Sequence, residues 1–201
     1  MINKQEKLTK VKLKGNESFN IREGWLRKGM RCVKDFPTLF SRDDAMEILG
    51  VGSKMVKSIR YWLRVTGLTE ERAPVGRARE QILTEKFGEV VDRYDRYFDD
   101  VFTLFLLHYN IVKNAEGLSV AWDIFFNNYD GQDFTKDNMI EKCKEELNKR
   151  LAEGATFSES LFADDCASIL RMYNTTDVAE DPEESLSCPL IELGLMRKSA
   201  N

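Results

Sequence analysis

Residues 41–68, SRDDAMEILGVGSKMVKSIRYWLRVTGL, constrain the fold more than any other stretch of this chain. Ser41 is placed to cap a first helix, with Asp43 and Asp44 against its positive N-terminal dipole. Ala45, Ile48 and Leu49 give that helix an apolar side, and Gly50-Val51-Gly52 supplies a turn in which glycine can take the left-handed conformation. Ser53 then caps a second helix whose Val56, Ile59 and Leu63 recur at helical spacing. Lys54, Lys57, Ser58, Tyr61 and Arg64 form the opposite stripe, expected to be exposed. Cations and hydroxyls on such a face suit phosphates and base edges in a DNA major groove. Helices so arranged also serve as packing or protein-docking units. The turn geometry is imperfect too, because the slot that usually needs a small residue falls at Met46.

Charge supports a local contact. The formal net charge is −4, yet residues 1–80 carry 18 Lys+Arg against 10 Asp+Glu, while the remainder carries 12 against 24. A basic module joined to an acidic body should touch nucleic acid at one place and not coat it. Residues 70–79 contain Pro74 and Gly76 and read as a loop, and Gln81-Ile82-Leu83 suits a strand. With Thr84 capping a helix from about Glu85, this order suggests the hairpin of a winged helix. Arg72, Arg77 and Arg79 would then lie on the wing, beside the DNA backbone.

The expected fold class is mainly α: an N-terminal winged helix-turn-helix with a small β-hairpin, followed by a helical C-terminal domain. The boundaries read as a flexible basic lead-in over 1–16, the winged unit over 17–93, a helical domain over 94–178 and an acidic extended tail over 179–201. A helix is expected from Asn20 to Val33, with Gly24 and Gly29 allowing close packing. Residues 94–112 are apolar on several sides, and Phe98, Val101, Phe102, Phe105, Leu106 and Tyr109 are assigned to the core. Further helices are expected over 119–129, from Thr135 to about Leu151, and from about Ser160 to Tyr173.

No catalytic constellation emerges. His108, the single histidine, sits among core residues and reads as an interior, hydrogen-bonded side chain. Asp99-Asp100 and Asp164-Asp165 could serve a metal-assisted nuclease, but neighbours on a helix point apart and suit N-terminal charge pairing equally well. No phosphate-binding glycine loop is present. Cys32, Cys143, Cys166 and Cys188 form no CxxC pair, so buried free thiols are expected, with no cofactor and no metal. The first residues lack the apolar run of a signal peptide and no stretch approaches a membrane span, which points to the cytoplasm.

Several segments resemble the bacterial DUF4007 family, a domain family of unknown function. They are NESFNIREGWLRKG (16–29), LLHYNIVKN (106–114), AWDIFFNNY (121–129), DDCASILRMY (164–173) and EDPEESLSCPLIELGLM (180–196). The chain differs from the family pattern at Asn16, where histidine is common, and stops soon after CPLIELGLM, where many members continue. The resemblance implies a place beside PAPS-reductase-like proteins, in gene clusters that modify or defend DNA with sulfur. The expectation is thus a non-catalytic, DNA-binding accessory protein of a DNA-modification or anti-phage system. Its partners would be duplex DNA and a PAPS-reductase-like or other DNA-modification protein, and a homodimer would match a two-fold site. The alternative is an adaptor that docks onto a larger enzyme through Leu190, Ile191, Leu193 and Leu195.

Overall fold

Gly50 ends a short helix with φ of 59°, and the chain turns through Val51 and Gly52 into the next helix, as the sequence suggests. In the computed structural model, residues 7–22, 24–75, 78–131, 133–174 and 188–197 are described. Among them lie α1 (Trp25–Asp35), α2 (Ala45–Leu49), α3 (Ser53–Val65), β1 (Thr69–Val75), β2 (Ala78–Leu83) and α4 (Gly88–Tyr94). The order continues with α5 (Val101–Lys113), α6 (Val120–Asn128), α7 (Lys136–Arg150) and α8 (Glu159–Tyr173). Two 3-10 turns, Leu39–Ser41 and Pro189–Leu193, complete the set. The fold is mainly helical, with one antiparallel hairpin in which Thr69 faces Leu83 and Arg72 faces Glu80.

Local chemistry accounts for the boundaries. Asp100 accepts from the Phe102 amide and starts α5, while Asp95 accepts from the amides of Asp99 and Asp100, so the apolar stretch 94–112 is broken by a loop. Thr135 and Ser158 cap α7 and α8. Ser41 does not cap α2; its hydroxyl donates to the Arg79 carbonyl, and Gln81 N–H donates to the Pro37 carbonyl. The connection between α1 and α2 therefore lies along the outer edge of the hairpin. Ser53 is the first residue of α3 and not its cap: Gly52 precedes it, and no side chain accepts from the first amides of the helix.

One apolar core runs through both halves of the chain. Trp62 on α3 meets Trp122 on α6 edge-to-face with ring centroids 5.6 Å apart, and both are fully buried. The boundary placed near residue 93 is thus bridged by packing. Residues 7–16, expected to be loose, are fastened instead. Leu8 bridges Leu151, the Lys14 amide donates to Asp165, and buried Asn16 donates to the Ser168 hydroxyl at 3.0 Å. The chain then crosses α3, where Ser58 Oγ and Trp62 Nε1 both donate to the Phe19 carbonyl. Residues that cross α3 in this way cannot also be helix, so α1 begins at Trp25 and not at Asn20.

The face of α5 is also corrected. Leu104, Leu107 and Ile111 point inward, whereas Val101, Phe102, Phe105 and Tyr109 are exposed. With apolar residues on every side, periodicity could not select the buried face; packing on α6 and on the Pro189–Leu193 turn does. Within the tail, Cys188 and Leu190 are buried against the body, so Leu190 is not part of a free strip. Residues 175–187 lie outside the described residues.

Gly88 opens α4 directly beneath β1, and a Cβ there would stand 1.9 Å from the Leu68 carbonyl oxygen. Because the obstacle is backbone, Gly88→Ala is expected to destabilise the fold by about 2 kcal/mol or more. Urea denaturation with an unchanged slope and a lowered midpoint would show it.

Candidate nucleic-acid interface

The polar face of α3 is divided. Lys54 and Lys57 are exposed on its first turns. Ser58 and Tyr61 are not on that face: Ser58 is fully buried under residues 15–19, and Tyr61 lies at 8% exposure with its hydroxyl donating to the Leu118 carbonyl at 3.0 Å. The physical reason is non-local. Residues 15–19 and the α5–α6 connection cover α3 on sides that its own periodicity leaves unassigned. One local signal existed, the run Tyr61-Trp62-Leu63, which is too wide for a helix with a single apolar stripe.

Further along α3 the cations are compensated. Glu71 on β1, 14% exposed, receives Arg60 Nε at 2.9 Å and Arg64 Nη1 at 3.1 Å, with Arg79 3.7 Å away. Arg64 also pairs with Glu116. Glu71 thus gathers three arginines and cancels much of their field. Arg72 and Arg79 are exposed on the hairpin, and Arg77 lies outside the described residues. The structure therefore brings Arg64 and Arg79 together around Glu71 and leaves Lys54, Lys57 and Arg72 facing solvent.

A second basic surface was missed in the sequence. The outer face of α1 carries Arg27, Lys28, Arg31 and Lys34, which line a hollow of about 720 Å³ together with Arg96 and Tyr97. Lys34 is paired with Asp92; among the described residues Arg27, Lys28, Arg31 and Arg96 have no ion-pair partner. Val51 borders the same hollow, and the Lys28 ammonium sits 3.3 Å from where a Cβ of Gly50 would lie. The cations consequently continue from α1 across the Gly50 turn to Lys54 at the open N-terminus of α3. The sequence did hold a signal: Arg27, Lys28, Arg31 and Lys34 recur at helical spacing opposite Leu26, Met30 and Val33.

The titratable candidates are structural. His108 is half-buried with Nδ1 2.9 Å from the Tyr173 hydroxyl, and burial lowers its pKa to about 4. Asp100 caps α5 and Asp164 pairs with the Lys14 ammonium at 2.8 Å. Asp165 is buried, accepts from the Lys14 amide at 3.0 Å, and is pushed up to about 6 by that burial. Among the described residues no three His, Cys, Asp or Glu side chains come together as metal ligands. All four cysteines are free, and Cys143, Cys166 and Cys188 are buried. No helix among the described residues is long and apolar enough to cross a membrane.

The described residues form a mainly helical body with a two-strand hairpin and a basic strip along α1. The chain belongs to the family described as Protein of unknown function (DUF4007), which matches residues 13–201. It is similar to the crystal structure of magnesium-ion-bound SspB, with 30% identity and a TM-score of 0.78, over 92% of this chain and 56% of that one. The crystal structure of SspB compares at 29% identity and a TM-score of 0.76, over 94% of this chain and 57% of that one. The chain thus spans little more than half the length of the SspB chains. No curated protein matches it.

The two buried groups pull stability in opposite directions with pH. Asp165, with a folded pKa of about 6 against about 3.9 unfolded, favours folding most below pH 4 and loses that contribution as pH rises through 6. His108, at about 4 against about 6.5 unfolded, contributes fully above pH 6.5 and loses it as pH falls through 4. Asp165→Asn keeps an acceptor for the Lys14 amide and removes the first effect. The variant should be more stable than wild type at pH 7, by on the order of 2 kcal/mol, with the gap closing towards pH 4. Urea midpoints at the two pH values check it; a constant gap would refute the assignment.

Proposed function

We propose that this chain is a winged helix-turn-helix module that holds DNA, as an accessory protein of the DNA sulfur-modification or anti-phage setting that DUF4007 resemblance implies. The observation that carries the reading is the continuous set of exposed cations from α1 over the Gly50 turn to Lys54 and Lys57, of which Lys34 is paired with Asp92 and Lys57 lies 3.8 Å from Glu17. Free amides at the start of α3 add an end-on site for phosphate. The order α1, α2, α3 and hairpin, with the α1–α2 connection lying along β2, supports the winged-helix reading. Arg72 and Arg79 stand on its wing. The recognition helix in this reading is used at its N-terminal turns and not along its length, because Ser58, Tyr61 and Arg64 are occupied within the protein.

SspB has been captured with a magnesium ion. Asp100 is committed to a helix cap, Asp164 to the Lys14 ammonium and Asp165 to the Lys14 amide, and among the described residues no third acid, His or Cys joins either acidic pair as a ligand set for that ion. The function proposed is binding. A second reading, an adaptor for a larger enzyme, is favoured by the exposed Val101, Phe102, Phe105 and Tyr109 on α5, an apolar face of the kind that docks onto proteins.

Lys54→Glu/Lys57→Glu tests the first reading without disturbing the Glu71 cluster. Fluorescence anisotropy with a labelled 24-base-pair duplex should show affinity falling at least about tenfold, with the slope of log affinity against log salt shallower by about 2. Thermal stability should be unchanged. Equal binding by the variant would remove α3 from the interface, and no duplex binding by wild type at low salt would favour the adaptor.

A further inference from the structure

Beyond the α3 surface, the end of α4 and the loop that leads to α5 present two aromatic rings among arginines. Tyr94 is 74% exposed and Tyr97 63% exposed, an unusual state for tyrosines that no core claims. Each carries a guanidinium on its face: Arg93 lies 5.3 Å from the Tyr94 centroid and Arg27 4.8 Å from that of Tyr97. Tyr97 borders the α1 hollow, Tyr94 borders a neighbouring hollow beside β2, and Arg96 lines both. A third, smaller hollow joins them and contains both rings. The result is an open trough with aromatic faces and arginines in alternation.

The loop is held in shape. Asp95 accepts from the amides of Asp99 and Asp100, its carbonyl accepts from the Phe98 amide, and Arg96 Nε donates to the Asp92 carbonyl. Phe98 is partly buried against the core and anchors the loop. The rings are therefore displayed by a braced backbone, so a ligand that stacks on them loses little loop entropy. The acids of the trough are largely engaged. Asp92 pairs with Lys34 and Asp95 turns to the loop amides, which leaves Asp35 and Asp99 near Tyr97, and Glu85 and Glu89 at the far end beside β2, against Arg27, Lys28, Arg31, Arg93 and Arg96.

We infer that this trough binds single-stranded nucleic acid, with bases stacked on Tyr94 and Tyr97 and the phosphodiester backbone held by Arg27, Arg31 and Arg96. Duplex DNA offers no free base faces to exposed rings, whereas an unpaired strand offers one at each nucleotide. The guanidinium already on each ring marks a face that accepts planar, stacked groups. The inference deepens the nucleic-acid reading and rests on it for the charge term: it shares the α1 cations with that reading, and differs in using Tyr94 and Tyr97 in place of Lys54 and Lys57.

The experiment measures anisotropy of labelled twelve-residue oligothymidine, oligouridine and a duplex with wild type, Tyr94→Ala/Tyr97→Ala, Tyr94→Phe/Tyr97→Phe and Lys54→Glu/Lys57→Glu. Expected is binding of at least one single strand by wild type, a loss of about tenfold or more in the alanine variant, and retention in the phenylalanine variant. Duplex affinity should stay within about twofold in the alanine variant and fall in the lysine variant. The preferred oligomer tells DNA from RNA. Duplex binding without single-strand binding, or single-strand binding unchanged in the alanine variant, would overturn this inference and leave the duplex reading standing. Single-strand binding without duplex binding would do the reverse, and binding of neither would overturn both.

Discussion

Trp62 is the point at which three separate lengths of chain are tied together. Its indole N–H donates to the Phe19 carbonyl at 2.9 Å, its ring meets Trp122 edge-to-face, and Tyr61 beside it donates to the Leu118 carbonyl. The segment before α1, the helix α3 and the α5–α6 region are thereby fixed to one another. The buried Trp62 N–H takes its acceptor from a non-helical segment, and with the Ser58 hydroxyl on the same carbonyl it holds residues 15–19 over α3. That cover explains why the helix shows solvent only its first turns and a narrow edge.

Burying α3 on so many sides redistributes its charge. Arg60 and Arg64 remain near the surface, but they are drawn to a single poorly exposed carboxylate, Glu71, which Arg79 also approaches. A hydrogen-bonded carboxylate among three guanidiniums screens them from an incoming phosphate. Among the described residues Arg27, Lys28 and Arg31 on α1 and Lys54 at the start of α3 have no ion-pair partner, while Lys34 meets Asp92 and Lys57 lies 3.8 Å from Glu17; together they form one basic strip. Contact with a polyanion at that strip needs no global positive charge.

The sequence carried the parts of this architecture that depend on neighbours in the chain. The glycine turn at 50–52, the Thr135 cap, the hairpin strand at 81–83 and the interior His108 all follow from local residue chemistry. Wherever a distant segment decides the outcome, periodicity had nothing to work with. Ser58 and Tyr61 look solvent-facing until residues 15–19 and Leu118 cover them. Phe102, Phe105 and Tyr109 look like core until α6 and the Pro189–Leu193 turn claim the other side of α5. The basic face of α1 was legible by spacing. Its continuity with α3 is not local: it rests on Lys28 reaching the Gly50 turn.

Asn16 shows how the structural and the binding requirements separate. Its side-chain N–H donates to Ser168 on α8, while its oxygen accepts from the Ser18 amide at 3.2 Å, at a site 1% exposed. The site therefore demands one donor and one acceptor on a compact planar side chain. Asn16 thus fastens the first segment to α8. It lies apart from the exposed cations Arg27, Lys28, Arg31 and Lys54, while Glu17 of the same segment comes within 3.8 Å of Lys57.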